Sequence, residues 1–201
     1  METAMPLAER RITAADIVPD AVFGAERKAR RAALLPAKRL RRVALGPWCT
    51  VYFESFETML FQIQEMLLIE KGGAEQLADE LAAYNPMIPQ GAELTATVMF
   101  EIDDPVRRER VLGELGGVEE RFYLEVDGTR AGGVQEGDIE RTREDGKTSS
   151  VHFLHFPLTT AQIESFRAPS ARVLVGCDHP RYAHLAALSD ATRAELAKDL
   201  G

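Results

Sequence analysis

Apolar positions along this chain change period as the sequence proceeds, and each period predicts a different element. Over 53–70 (FESFETMLFQIQEMLLIE) Phe56, Met59, Leu60, Ile63, Met66 and Leu67 recur at i, i+3, i+4, i+7, i+10 and i+11. Those spacings share one face of a 3.6-residue helix, with Ser55 placed to cap it. The opposite stripe of Glu57, Phe61, Gln64, Glu65 and Leu68 is mixed. A solvated stripe has no use for Phe61 and Leu68, so the helix at 55–71 is expected to be contacted on two sides. Upstream, Val22, Phe23, Ala29, Ala33 and Leu34 mark a helix over 20–35 that Pro36 ends or kinks. Val43 and Leu45, then Val51 and Phe53, alternate around Gly46-Pro47, the pattern of a hairpin near 41–54. Gly72-Gly73 stops the long helix, and Leu77, Leu81 and Tyr84 mark a shorter one that Asn85-Pro86 ends.

Beyond Glu93 the period shortens. ELTATVMFEI (93–102) predicts a strand, DPVRRERVLGEL (104–115) a helix and VEERFYLEV (118–126) a strand. SSVHFLHF (149–156) predicts another strand, the stretch from Thr159 to Phe166 a helix, and ARVLVGC (171–177) a strand. A closing helix is expected over 182–200. The order β-α-β-β-α-β is that of a ferredoxin-like split βαβ sheet. The fold expected is α+β: N-terminal helices and a short hairpin, then a ferredoxin-like antiparallel sheet and a C-terminal helix. Region 1–91 is mainly helical and region 92–201 carries the sheet, the two packed as one domain. The Gly-rich connection 128–148 is long for a plain loop, and such segments are functional, mobile, or hide an element. Arg141, Arg143 and Lys147 give it the look of a flap or a solvated hairpin.

Composition changes this picture little. Hydrophobic residues at 45% and charged residues at 28% describe an ordinary globular chain. The first residues lack a signal-peptide apolar core, and no stretch approaches the roughly 20 apolar residues of a membrane span. The two cysteines, Cys49 and Cys177, are far apart in sequence, and in a chain without an export signal they are expected to be reduced thiols. Cytoplasmic location is the expectation. The net charge of −8 is uneven: 27–42 holds eight bases and no acid, whereas 43–201 carries −13. The run 27–42 is either a patch for an anionic partner or a solvated face lying against the chain's own acidic body. That acidity, and the lack of interleaved aromatic residues, argue against a nucleic-acid partner.

Candidate chemistry gathers late. All four histidines, His152, His155, His179 and His184, lie within 33 residues. On a strand His152 and His155 face opposite sides. In the split βαβ order the end of the fourth strand lies beside the start of the third, which would bring Asp178 and His179 to His152. Such a His/Asp/His set can hold a divalent metal such as zinc, manganese or ferrous iron, or serve as acid and base. It can equally be a turn aspartate with a packed core histidine. Cys177 is read as a strand-end core cysteine, since the carboxylate beside it would raise its pKa. The stripe Glu57–Gln64–Glu65 lacks the Glu-x-x-His partners of a di-metal bundle, because no histidine precedes 152. No dinucleotide fingerprint, phosphate loop or nucleophile elbow is present.

RRVALGPW, FESFETMLFQIQEM, YNPMIPQGAELTATVMFEI, GKTSSVHFLHF and CDHPRY together resemble the bacterial family known as domain of unknown function 3501. The likeness runs from about Ile12 to Tyr182. It implies a cytoplasmic bacterial protein with no assigned substrate or catalytic residue. It also associates the chain with rubrerythrin-like and iron–sulfur proteins, hence with a redox-related protein partner, although two cysteines are too few to ligate a cluster. Two expectations therefore stand. One is a small-ligand or divalent-metal site at His152, Asp178 and His179. The other is a non-catalytic homodimer or partner-binding protein joined through Phe61, Gln64 and Leu68.

Overall fold

A computed structural model describes residues 10–137 and 146–201. Residues 1–9 and 138–145, including Arg141 and Arg143 of the expected flap, lie outside the described residues. The architecture is mixed α and β, in three layers: helices, a first sheet and a second sheet.

The helical layer holds α1 (Asp20–Leu40), α2 (Phe56–Glu70) and α3 (Gly73–Tyr84). α1 continues through Pro36 to Leu40. Pro36 is solvent-exposed, so the missing amide hydrogen bond falls where water can satisfy the freed carbonyl. Ser55 caps α2, its hydroxyl accepting from Thr58 N. Ile63 and Leu67 of α2 pack with Met87, Ile88 and Ile12 in a cluster of their own. Phe153 packs against that cluster from the outer face of the first sheet.

The first sheet has the order β1 (Arg42–Leu45), β2 (Cys49–Phe53), β3 (Glu93–Phe100), β7 (Val151–Pro157), β6 (Val134–Gln135). The second has the order β5 (Thr129–Gly132), β4 (Phe122–Val126), β8 (Val173–His179), β9 (Tyr182–Ala187). All these pairings are antiparallel. Three helices complete the chain: α4 (Pro105–Gly113), α5 (Thr160–Arg167) and α6 (Asp190–Leu196). Period-2 alternation sends Val51, Phe53, Val98, Leu154 and Phe156 inward from one sheet and Leu124, Val126, Val173 and Val175 inward from the other.

The ferredoxin-like order is not what the strands adopt. β3 pairs with β7 as that order requires, but β4 and β8 pair with each other in a separate sheet. The long connection is the reason, because it hides a strand. β5 and β6 are successive pieces of one extended segment that bends at Gly133, the first bonded to β4 and the second to β7. A Cβ on Gly133 would lie 3.2 Å from both Phe122 O and the Phe156 ring, so a side chain at the bend would crowd both sheets. The expected closing helix is likewise divided. Tyr182–Ala187 forms a hairpin with β8 around Pro180-Arg181, and α6 starts only after Ser189.

The free edges of β1 and β9 meet without forming a ladder. The Tyr182 hydroxyl donates to Leu45 O (2.7 Å) and accepts from Trp48 N (3.1 Å) and Cys49 N (3.0 Å). His184 of β9 lies against Gly46, whose φ of +74° turns the β1–β2 hairpin and whose missing side chain leaves room for the ring.

Candidate functional site

The expected His152/Asp178/His179 set is not assembled. β8 runs on through His179, so Asp178 and His179 project from opposite faces of the sheet. Asp178 is exposed on the outer face and pairs with Arg130 (3.4 Å). There Arg130 also bonds Glu125 (3.1 Å) and stacks 3.8 Å above the Tyr123 ring. That ring in turn lies across Gly176, where a Cβ would overlap it. His152 faces inward and is fully buried, Nε2–H donating to Ser149 O (2.9 Å) with the Phe100 ring edge-on at 6.2 Å. His179 is buried with Nε2–H towards Gly116 O (3.3 Å), while its Nδ1 accepts from Arg181 N (3.2 Å). Both imidazoles are thus hydrogen-bonded groups of the buried interior. Among the described residues no group of three or more His, Cys, Asp or Glu side chains could hold a metal ion.

The two thiols are buried as well. Burial pushes Cys49 far up and raises Cys177 to about 11, the Asp178 charge adding to the second. Neither is primed as a nucleophile.

The stripe expected to face another subunit is contacted within the chain, with Gln64 buried and Phe61 and Leu68 half-buried. Phe61 meets Phe23 of α1 with ring centroids 5.6 Å apart. Gln64 is buried, its amide bonded to both Val18 N (2.9 Å) and Val18 O (3.2 Å). Leu68 lies beside Gly24, within ordinary van der Waals reach of a Cβ there. The second contact on α2 is therefore α1 and the segment before it. Within the basic run, Arg27 forms a two-pronged bond with Glu65 and Arg30 pairs with Glu26.

What the structure does build is a cavity of about 480 Å3 where the end of α1, the start of α2, Ile88-Pro89 and the residues around α6 converge. Its floor is a buried charge network. Arg41, 4% exposed, ends α1 and is held there by Arg41 N donating to Ala37 O (3.0 Å). Its guanidinium donates to Asp199 Oδ2 (2.6 Å), Glu195 Oε1 (3.1 Å) and the Glu54 carbonyl (2.9 Å). Arg10 reaches the Asp199 carbonyl (2.6 Å) and Lys198 pairs with Glu195 (2.5 Å). Leu34, Phe56, Ile88 and Pro89 supply an apolar wall.

Burial works against the charge on Arg41, Asp199 and Glu195, and the partners decide the balance. Burial penalises the Arg41 charge, but Asp199 and Glu195 outweigh it and its pKa lies above the ordinary value. Asp199 is raised, mainly by burial and further by the Glu57 charge, against the pull of Arg41. Glu195 is also pushed up by burial, yet Lys198 and Arg41 bring it below the usual carboxylate value. A mixed-charge floor below an apolar wall can hold and orient a small polar molecule. Among the described residues that line it, the Ser55 hydroxyl is engaged with Glu57 and the cap of α2.

Sequence reasoning passed over this site. Arg41 looked like one base among eight, and Glu195 and Asp199 fell on a stretch read as the face of a helix. The one available signal was a base at a helix–hairpin junction, between two apolar runs.

The sequence model of the family described as "Protein of unknown function (DUF3501)" matches residues 11–200. A crystal structure at 1.90 Å resolution of a novel protein of unknown function from Burkholderia pseudomallei K96243 is similar, with a TM-score of 0.87 and 34% identity. The match covers 94% of this chain and 99% of that one. No curated protein matches the chain. Among the described residues no helix is long and apolar enough to cross a membrane.

Proposed function

Because the chain belongs to the family of proteins of unknown function DUF3501, whose description carries no activity, we propose its function from the cavity: it binds a small polar molecule over the Arg41–Glu195–Asp199 floor. One observation carries this reading. A buried guanidinium with two carboxylates forms one wall of a hollow of about 480 Å3, within the 300–1,000 Å3 range of ligand sites. Buried ion networks cost desolvation and add little stability over a well-packed apolar core. A network left beside empty space is better explained by a ligand than by packing. In this reading the ligand-binding expectation moves from the histidines to the Arg41 cavity.

Ala37 lines the cavity and is only partly buried, so Ala37→Trp fills the hollow without removing any member of the network. A thermal-shift screen with small ammonium, carboxylate and zwitterionic compounds is expected to find a class that raises Tm. A ligand at 100 times its Kd adds about 2.7 kcal/mol of stability. The shift is expected to vanish in Ala37→Trp. If no class shifts the wild-type protein, or if the shift persists in the filled variant, the cavity is not the site.

A further inference from the structure

A second hollow of about 430 Å3 adjoins the first, between α1 and α2. Phe23, Ala33, Leu60 and Phe61 give it a mainly apolar lining, completed by Gln64 and by Arg30, which is paired with Glu26 (2.7 Å), and Leu34, Phe56 and Glu57 line both hollows. The two are therefore parts of one groove that runs along α2, charged at the Arg41 end and mainly apolar at the Phe61 end, where Arg30 is already paired with Glu26. From Glu57 to Gln64 the helix rises about 10 Å, which is the reach of a medium alkyl chain.

The charges are not equivalent along this groove. Arg41 is saturated by Asp199, Glu195 and the Glu54 carbonyl, Lys198 is paired with Glu195, and Arg10 is held by the Asp199 carbonyl. Glu57 is the one charged residue that lines both hollows. It is exposed, forms no ion pair among the described residues, and accepts a hydrogen bond from the Ser55 hydroxyl (2.8 Å). Glu57 and Asp199 line the same hollow, where burial and the Glu57 charge together raise the Asp199 pKa. A cation between the two would relieve that repulsion, whereas an anionic head at the same point would meet Glu57 first.

We infer that the groove takes a cationic amphiphile, its ammonium head between Glu57 and Asp199 and its unbranched apolar tail between α1 and α2. This inference rests on the small-molecule reading of the Arg41 cavity and names the class of its ligand. The tail buries against Leu60 and Phe61, which α1 covers incompletely, and the head supplies the positive charge that Glu57 lacks.

The test is calorimetric titration of the full chain with alkyltrimethylammonium ions carrying butyl, octyl and dodecyl chains, each below its micelle concentration. Affinity is expected to rise up to about fourfold per methylene and to level off once the apolar hollow is full. Ala33 lines that hollow from an exposed position of α1, so Ala33→Trp blocks it with little effect on folding. In that variant the chain-length dependence is expected to disappear while head binding remains. Glu57→Gln is expected to weaken the ammonium series about tenfold and to leave neutral octyl glucoside unchanged. Alkyl sulfates binding as tightly as the ammonium ions, or a chain-length dependence that survives in Ala33→Trp, would overturn the inference. Self-association through the groove, seen by light scattering without ligand and lost in Ala33→Trp, would overturn it too. If short ammonium ions bind and Ala37→Trp abolishes that binding, but chain length has no effect, this inference fails and the Arg41 cavity reading stands.

Discussion

The two ends of the molecule that bury ionisable groups do so differently. At the interior end, His152 and His179 are buried, bonded to the backbone of Ser149, Gly116 and Arg181, with the Thr148 hydroxyl also beside His152. At the helical flank, Arg41 gathers two carboxylates and the wall of a cavity remains open beside them. Histidines are the residue type that chemistry favours, yet here they are used for packing. Arginine, aspartate and glutamate residues that look ordinary in sequence face the empty space. Residue type ranks candidate sites less well than the volume left around them.

The sharpest way to press that contrast is Arg41→Met. Removing the guanidinium strands Asp199 and Glu195 near the protein interior, and a buried pair broken from one side costs about 3–5 kcal/mol. A fall in Tm of roughly 10 °C is expected, and a change of a few degrees would mean that water already reaches the floor of the cavity. Tyr182→Phe tests the filled side. It leaves Leu45 O, Trp48 N and Cys49 N without their shared hydroxyl, at a cost of about 2–3 kcal/mol. Amide exchange should quicken first in β1 and β2. Uniform protection would show that the seam between β1 and β9 holds by packing alone.

His155 lies on the outer face of the first sheet and separates the two uses of histidine further. Its Nδ1–H donates to Glu93 (2.9 Å) and its Nε2–H to Glu136 (2.6 Å), an arrangement that needs the imidazolium. The Glu93 hydrogen bond is the largest influence, and with Glu136 it raises the His155 pKa against the effect of burial. A raised histidine pKa adds stability that is complete below the unfolded value near 6.5 and is lost as pH rises through the folded value. The wild type should therefore exceed His155→Gln by about 1 kcal/mol at acidic pH, with the margin shrinking at alkaline pH in urea melts. A margin independent of pH would make His155 another packing residue. The smallest effect is expected at Asp178→Ala. Its ion pair is on the surface, so Tm should move by no more than about 2 °C, and elemental analysis should find the same metal content as in the wild type.

The helices at 56–70 and 73–84, the hairpin and the strands at 93–100 and 173–179 were legible because their apolar periods are long and unbroken. The α+β class followed from them. The strand order did not, because the segment that decides it, 129–135, is short and its alternation is interrupted by Gly132-Gly133. YAHLAAL read as a helix because Leu185 and Leu188 also fit a 3.6 period, and the pairing with β8 overrides that local preference. The cavity was illegible for another reason. Its residues lie between 10 and 199 in sequence, and a hollow is a property of where elements stop short of each other.

The bend at Gly133 has a consequence for how the protein comes apart. One stretch of chain is a working member of both sheets, so neither sheet can lose its ladder at that strand without loosening the other. A side chain at Gly133 would act as a wedge on both at once. The two sheets should then behave as a single cooperative unit, with the slowest amides of β4, β7 and β8 exchanging in one shared opening event. Seven residues, 129–135, thus make a layered assembly fail as a whole rather than sheet by sheet.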